Sequence, residues 1–358
     1  MAPTAGTPAS HLQRIVVDPL TDPKWEALVR QAPTDVFHSP QWLRVLAATY
    51  GFAPRAAILV DEGGQPVAGM PYCVIEGIPT RRIAAPPFSD FCDPIVADTA
   101  QWQELVGPLL EEGCRLTVRC LHNEIPVRDG RVPAVDRAKW HGLDLTAGAD
   151  TIWQGLHGSA RRAVRKAQNA GVVVRPAENL EDLRSFYELH LKIRKYKYRL
   201  LAQPYSFFEN IWDEFGVPGN GSLLVAEHEG KIVGGVFFLQ WKGVLYYKFN
   251  ASDPDLVSVR PNDLVIWSAI DDASAKGLVK LDLGLSDWDQ EGLIRYKRKY
   301  ASEEKTISFL RHEPPGGEST QAAHVRALLP VLTDLLTDEG VPDAITERAG
   351  DLLYRLFA

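Results

Sequence analysis

Two stretches with the same glycine spacing, LVDEGGQPVAGMPY at residues 59–72 and VAEHEGKIVGGVFF at residues 225–238, decide the fold. Aligned without gaps, they place Gly64 on Gly230, Val67 on Val233 and Gly69 on Gly235. Each stretch is typical of a β-hairpin, with two strands joined by a tight glycine turn. A second pair lies at nearly the same offset, because PQWLRVLAATYG from Pro40 and SFFENIWDEFG from Ser206 both predict an amphipathic helix that ends before glycine. Two elements in one order at one spacing indicate a duplicated unit.

The pattern outward from these stretches predicts an α+β fold, with two units that each contain a mixed, mostly antiparallel sheet flanked by helices. We expect domains at residues 1–148 and 149–313, followed by a helical extension at 314–358. A long helix is predicted at 150–170 with its N-cap at Asp150, and another at 262–276 with its N-cap at Asn262. The closing strand of the first unit is predicted at 141–145, after an irregular stretch. The leucines of the extension are expected to pack on the first unit.

Composition places the 358-residue chain among ordinary globular proteins, with 45% hydrophobic and 24% charged residues. No apolar run approaches the ~20 residues that a membrane span needs. The first 14 residues lack the features of a signal peptide, so we expect a short flexible tail and a cytoplasmic protein. The four cysteines form no CxxC pair and are interpreted as core thiols. No histidine spacing indicates a metal site, although residues distant in the chain can still converge.

Charge is distributed unevenly along the chain. The net charge is −7, but residues 157–200 contain eleven Lys or Arg and four Asp or Glu, which makes that segment +7. Most of its cations fall in two runs, Arg161, Arg162, Arg165 and Lys166, and then Lys192, Arg194, Lys195, Lys197 and Arg199. Like charges four residues apart on a helix are mildly destabilising, and a phosphate-rich partner would relieve them. The alternative is a solvated face that the acidic remainder of the chain neutralises.

Several motifs in order resemble the Fem-like branch of the GNAT superfamily, over about residues 35–310. They are FHSPQWL, PFSDFCDP, LHGSARRAVRKAQNAGV, FYELHLKIRKY, YYKFNASD, RPNDLVIWSAI, LDLGLS and GLIRYKRKYA. The resemblance implies tandem GNAT-like domains with the active cleft between them. It also implies transfer of an acyl or aminoacyl group to an amine, with formation of an amide bond.

One loop, SDPDLVSVRPNDLVIW at residues 252–267, indicates which acyl donor the protein would use. GNAT enzymes that use acyl-CoA hold its pyrophosphate there on a glycine-rich backbone and a helix N-terminus. This loop has no glycine, Pro261 removes one amide donor, and Asp263 adds negative charge. The loop therefore favours aminoacyl-tRNA, the donor of Fem enzymes, although Arg260 partly compensates for the missing amides.

The leading interpretation is thus a transferase that moves an amino acid from tRNA to an amine of a small molecule or cell-envelope precursor. The alternatives are an N-acyltransferase that uses acyl-CoA or a carrier-protein thioester, and a catalytically inactive GNAT pair that only binds ligands. No bound cofactor is expected. The chain has no long coiled-coil insertion, so tRNA would dock on the basic runs and Arg260 alone.

Candidate catalytic residues come from both units. Lys297 matches the lysine of the family's late FK-type motif and is a candidate oxyanion donor, with an ordinary surface lysine as the alternative. Asp90 matches an acid that faces the acceptor, or else it is only a turn residue. Tyr247 and Asn250 lie on the strand that presents groups to the donor, and strand alternation points Lys248 to the opposite face. Candidate substrate-binding residues are Asp93, Asp282, Ser286 and Trp288, the last as a stacking platform.

Overall fold

The computed structural model describes residues 12–77, 81–317 and 320–358. The predicted N-terminal tail lies largely outside the described residues, as does part of a strand predicted at 79–84. The first half contains β1 (Gln13–Val17), α1 (Pro23–Gln31), α2 (Pro40–Tyr50), β2 (Ala53–Val60), β3 (Pro66–Ile75), β4 (Arg82–Ala85), α3 (Thr99–Leu110), β5 (Arg115–Cys120) and β6 (Ala134–Asp144).

The second half repeats the order of the first. It contains α4 (Ala149–Gly155), α5 (Gly158–Asn169), β7 (Val173–Pro176), α6 (Leu180–Lys192), α7 (Tyr205–Ile211), β8 (Gly221–His228), β9 (Lys231–Trp241), β10 (Val244–Ser252), α8 (Pro261–Ala275), β11 (Lys280–Asp287), α9 (Glu291–Lys297) and β12 (Glu303–His312). The extension forms α10 (Thr320–Leu336) and α11 (Asp343–Leu353). None of the helices in the described ranges is long and apolar enough to cross a membrane.

Twelve strands of the described residues form one sheet, in the order β1-β2-β3-β4-β5-β12-β6-β11-β10-β9-β8-β7. The order is symmetric from both edges, because β4 pairs parallel with β5 just as β10 does with β11, while the outer strands pair antiparallel. At the centre the halves exchange strands, since β12 lies against β5 and β6 lies against β11. This topology confirms the tandem α+β fold. The boundaries at 148 and 313 stay a prediction, because the exchange ties the halves together.

The repeated glycines have equivalent roles in the two halves. Gly64 and Gly230 occupy the hairpin turns with φ of 76° and 75°, a left-handed conformation that glycine adopts without strain. Gly69 and Gly235 lie where a helix of their own half packs closely on the sheet. A Cβ at Gly69 would come within 2.7 Å of Leu28 in α1, and one at Gly235 within 3.1 Å of Phe186 in α6. The shared spacing therefore reflects a turn position and a helix-packing position that occur in both halves.

Several predicted boundaries were wrong for local reasons. The helix predicted at 150–170 breaks at Leu156, and α4 begins after Gly148 rather than Asp150. Helix α8 is preceded by Arg260 in the left-handed conformation, and Asn262 lies inside the first turn. Strand β6 begins at residue 134, because pairing with β12 extends it well before the predicted start.

The extension docks through polar and backbone contacts more than through its leucines. The Arg82 guanidinium donates to the carbonyl of Ala358 at 2.7 Å, and Gly350 packs against the carbonyl of Ala202. Leu328 and Leu335 of α10 are exposed, so the prediction that the leucines pack on the first unit was wrong for these positions. The four cysteines are buried and unpaired, which confirms that they are core thiols.

Candidate active site

A cavity of about 740 Å³ opens where β10 and β11 separate. The two strands pair in parallel only from Val244 to Tyr246 on β10, and each then departs from regular pairing. On β10 the register shifts between Tyr247 and Phe249, and on β11 it shifts near Gly284. The walls come from the end of α6, the start of α8, and α9, and the Asp90 loop enters from the first half. The separation of two parallel strands thus creates a site that both halves line.

Lys297 lies at the floor of this cavity and not on the surface, since only 4% of it is exposed. Its Nζ donates to the carbonyl oxygens of Gly284 and Leu285 at 3.1 and 2.6 Å. A protonated lysine has three N–H groups, so one remains for a ligand. Burial lowers the pKa of Lys297 to about 8, even though Asp90 and Asp282 favour its charged form. The side chain is therefore a positioned ammonium that titrates near neutral pH.

Asp90 reaches the same cavity from the first half of the chain. Its Oδ1 lies 2.5 Å from Nζ of Lys248, and its Oδ2 accepts the N–H of Leu285 at 3.4 Å. Burial alone raises the pKa of Asp90, but the Lys248 ammonium outweighs it and holds that pKa below its usual value. Asp90 is consequently a carboxylate at neutral pH, suited to anchoring a cationic amine.

Lys248 is a site residue that the sequence interpretation missed, because strand alternation placed it on the opposite face. The structure corrects this: Tyr247 pairs with Phe238 and Phe249 with Phe237, so Lys248 is the extra residue of a β-bulge. The bulge brings Lys248 to the cavity together with Tyr247. One signal was available, a lysine in the aromatic run YYKFN, whose charge needed a partner once buried.

Tyr247 and Asn250 both line the cavity, and the amide of Asn250 donates to the Tyr247 hydroxyl. Burial raises the pKa of Tyr247, so the phenol stays neutral and retains its own O–H to donate. Arg194, Lys197 and Arg260 lie around the same cavity and give its rim positive charge. The structure therefore brings Lys297, Asp90, Tyr247, Asn250, Arg194 and Arg260 to one site.

The four predicted substrate-binding residues lie outside the cavity. Asp93 accepts the N–H groups of Leu121, His122 and Asn123, so it orders the loop after β5. Asp282 accepts the N–H of Gly284 at 2.6 Å, and burial raises its pKa to about 7. Ser286 is fully buried on β11, and Trp288 lines a second cavity. Asp93, Asp282 and Ser286 thus lie at supporting positions beside the cavity, and their role in substrate binding stays a prediction.

Internal contacts engage part of the second basic run. Lys195 is fully buried, and its Nζ bonds the carboxylate of Asp343 in α11 at 2.8 Å. It is therefore removed from the predicted tRNA surface. Lys192 remains exposed at the end of α6, while the guanidinium of Arg194 donates to the carbonyl of Leu201. Arg194 thus lies in the cavity rim and not on the open surface.

The first basic run follows α5. The side chain of Arg161 donates to the carbonyl of Gln154, and Arg165 stacks over the Trp153 ring. Arg162 and Lys166 point to solvent, and across the described part of the chain none of these four cations has an ion-pair partner. Like charges thus remain together on one face of α5.

One group of buried residues has the chemistry of metal ligands. Ligand atoms of Asp35, His38 and Cys92 lie within 4.8 Å of one another. His38 is already engaged, since Nδ1 accepts the N–H of Asp35 and Nε2 bonds the carbonyl of Asp93 at 2.8 Å. Burial also raises the pKa of the Cys92 thiol, which opposes the thiolate that a metal requires. These contacts fit a structural cap better than a metal site.

Comparison with known proteins agrees with this geometry. Residues 156–298 match the family described as the acetyltransferase (GNAT) domain. Structures similar to this chain include FemX, at a TM-score of 0.58 and 14% identity, covering 89% of this chain and 100% of FemX. A tandem GNAT protein of the clavulanic acid biosynthesis pathway has a TM-score of 0.55 and 12% identity, covering 86% of this chain and 100% of that protein.

A third similar structure is the C-terminal domain of a putative lysylphosphatidylglycerol synthetase from Agrobacterium fabrum. Its TM-score is 0.54 at 13% identity, and the match covers 86% of this chain and 94% of that one. No curated protein matches the chain. At these identities the structural matches establish the fold alone, and the family match covers part of the second half of the chain. Residues 156–298 are thus similar to the acetyltransferase (GNAT) domain, and the chain shares its fold with these three structures.

Proposed function

We propose that this protein transfers an amino acid from aminoacyl-tRNA to an amine of a small molecule or cell-envelope precursor, in the cytoplasm. The observation that carries the proposal is that a carboxylate, Asp90, and a buried ammonium, Lys297, line the same cavity. Each half of the chain contributes one of the two groups. A carboxylate suits the amine acceptor, and an ammonium suits the oxygen on which charge develops.

The reaction requires no covalent nucleophile. The acceptor binds at Asp90 as an ammonium and releases one proton to solvent, and its neutral nitrogen then attacks the ester carbonyl of the donor. The third N–H of Lys297 stabilises the resulting oxyanion. The carbonyls of Gly284 and Leu285 hold the Lys297 ammonium in place. Collapse breaks the ester C–O bond and forms the amide, and a second proton passes from the attacking nitrogen to the released ribose oxygen.

The start of α8 supports an aminoacyl-tRNA donor over acyl-CoA. The N–H groups of Asp255, Leu256 and Arg260 already donate within the preceding loop, and Pro261 has none. Asp263 is buried at the first turn and accepts the Tyr300 hydroxyl at 2.6 Å. The loop therefore offers few free amides for a pyrophosphate.

Titration with acetyl-CoA tests this donor assignment. We expect calorimetry to show no binding tighter than about 1 mM, which corresponds to roughly −4 kcal/mol. Micromolar binding would instead support the second candidate, an N-acyltransferase that uses acyl-CoA or a carrier-protein thioester. That candidate is favoured by the GNAT family match.

In parallel, bulk tRNA charged with labelled amino acids should lose its label to a mixed amine pool only when the protein is present.

The pH dependence of transfer tests the charge state of Lys297. Because the pKa of Lys297 is about 8, its ammonium is complete well below pH 8 and is lost as pH rises through that value. We therefore expect kcat/KM to fall above about pH 8. Lys248→Met should move this fall to higher pH, since the Lys248 charge lowers the pKa of Lys297. A rate that keeps rising through pH 9 in the wild type would show that neutral Lys297 is the active form.

A further inference from the structure

A second cavity, of about 670 Å³, lies on the other face of α9 from the candidate active site. Leu293, Tyr296 and Lys297 of this region line the active cavity, whereas Ile294 and Arg295 line the second one. Residues at the start of α5 close the second cavity, and the N–H of His157 donates to the carbonyl of Lys299. The start of α5 therefore forms one wall of this cavity, and α9 separates the cavity from Lys297.

The cavity is positively charged. Four cations line it, Lys139, Arg295, Arg298 and Lys299, against one lining carboxylate, Glu291. Lys139 and Arg298 share Glu304, and hydrogen bonds from Arg298 and Lys139 lower the pKa of Glu304 to about 2. Arg295 has no ion-pair partner within the described ranges, and Nζ of Lys299 lies 5.1 Å from the centre of the Tyr296 ring. When Glu291 and Glu304 are both counted against the four cations, an excess of two positive charges remains, and this excess complements a phosphate.

Trp288 gives the cavity a large flat surface. This side chain is 49% exposed directly after β11, and Nζ of Lys139 lies 4.3 Å from the centre of its ring. Lys139 thus contacts the indole, while about half of Trp288 remains exposed. Nucleic-acid bases stack on such surfaces while their phosphates contact nearby cations.

We propose that this cavity binds a nucleotide, with its base on Trp288 and its phosphate between Arg295 and Lys299. The inference rests on the proposed function in one respect, because it takes the nucleotide to belong to the CCA end of the donor RNA, upstream of the terminal residue that carries the ester. A free nucleotide has the same chemistry. The volume lies within the range of about 300–1,000 Å³ that is usual for ligand sites.

The test uses the full chain and three probes: an RNA acceptor hairpin that ends in CCA, the same hairpin without those three nucleotides, and AMP. The variants are Arg295→Ala with Lys299→Ala, and Trp288→Ala. Arg30→Ala with Arg128→Ala is the matched control, because it also removes two cations that are exposed in the first half. Binding is measured by fluorescence anisotropy for the hairpins and by calorimetry for AMP.

We expect the double variant to bind the CCA hairpin about 10-fold more weakly, with a salt slope smaller by about 0.7 for one lost phosphate contact on a single strand. Trp288→Ala should cost about 5-fold or more, the effect of one lost stacking contact. The truncated hairpin and the control should show neither loss. AMP binding that depends on Trp288, without RNA binding, would support the nucleotide site and contradict the proposed donor. Unchanged hairpin binding in both variants would overturn the site and leave the donor proposal standing.

Discussion

Lys297→Met is expected to lower turnover by about 100-fold or more, the effect of removing one donor to a developing oxyanion. Methionine retains much of the apolar stem of lysine, so the packing around α9 should change little. The variant gives up two hydrogen bonds to carbonyls, of Gly284 and Leu285, but it also no longer buries a charge. Turnover is measured by transfer of labelled amino acid from charged tRNA, and the melting temperature by calorimetry.

Asp90→Asn is the companion variant from the first half. It removes the charge that faces Lys248 and leaves a side chain of the same shape. Loss of turnover in both folded variants would support chemistry in the cleft between the halves. Loss of turnover in Lys297→Met alone would indicate that the second half carries the chemistry and that the first half only binds the acceptor. Near-normal turnover in Lys297→Met would contradict its proposed catalytic role.

Reversal of two charges on α5, Arg162→Glu with Lys166→Glu, is expected to abolish tRNA binding at physiological salt. The four cations of α5 have no ion-pair partners in the described part of the chain, so their attraction for phosphate is not already satisfied. In the wild type, binding should weaken steeply with salt, because each neutralised phosphate releases a counterion. The measurement is filter binding of bulk tRNA over a range of salt concentrations.

The matched control is Arg30→Glu with Arg128→Glu, which changes net charge equally on exposed positions of the first half. Equal losses in the two double variants would mean that binding depends on total charge and not on α5. Unchanged binding after the α5 reversal would leave this helix as a solvated face, which is the alternative that its sequence allows.

Local patterns were sufficient for the repeated architecture. The glycines at 64 and 230 specify turns, and those at 69 and 235 allow close helix packing, so their spacing predicted the duplication. Strand exchange at the centre of the sheet was not predictable, because it depends on which partner β6 and β12 meet after folding. Each strand looks the same in sequence whether it pairs within its own half or across.

The sequence by itself determined the repeat, the uneven charge and the candidacy of Asp90 and Lys297. Only the tertiary structure decided which cations are free, because Lys195 and the cations of α5 look alike until α11 brings Asp343 to one of them. It likewise placed Lys248 beside Asp90 through a bulge, and separated Trp288 from the active cavity by α9. The physical reason is that burial, pairing and pKa depend on groups distant in the chain, whereas turns and helix faces depend on neighbours.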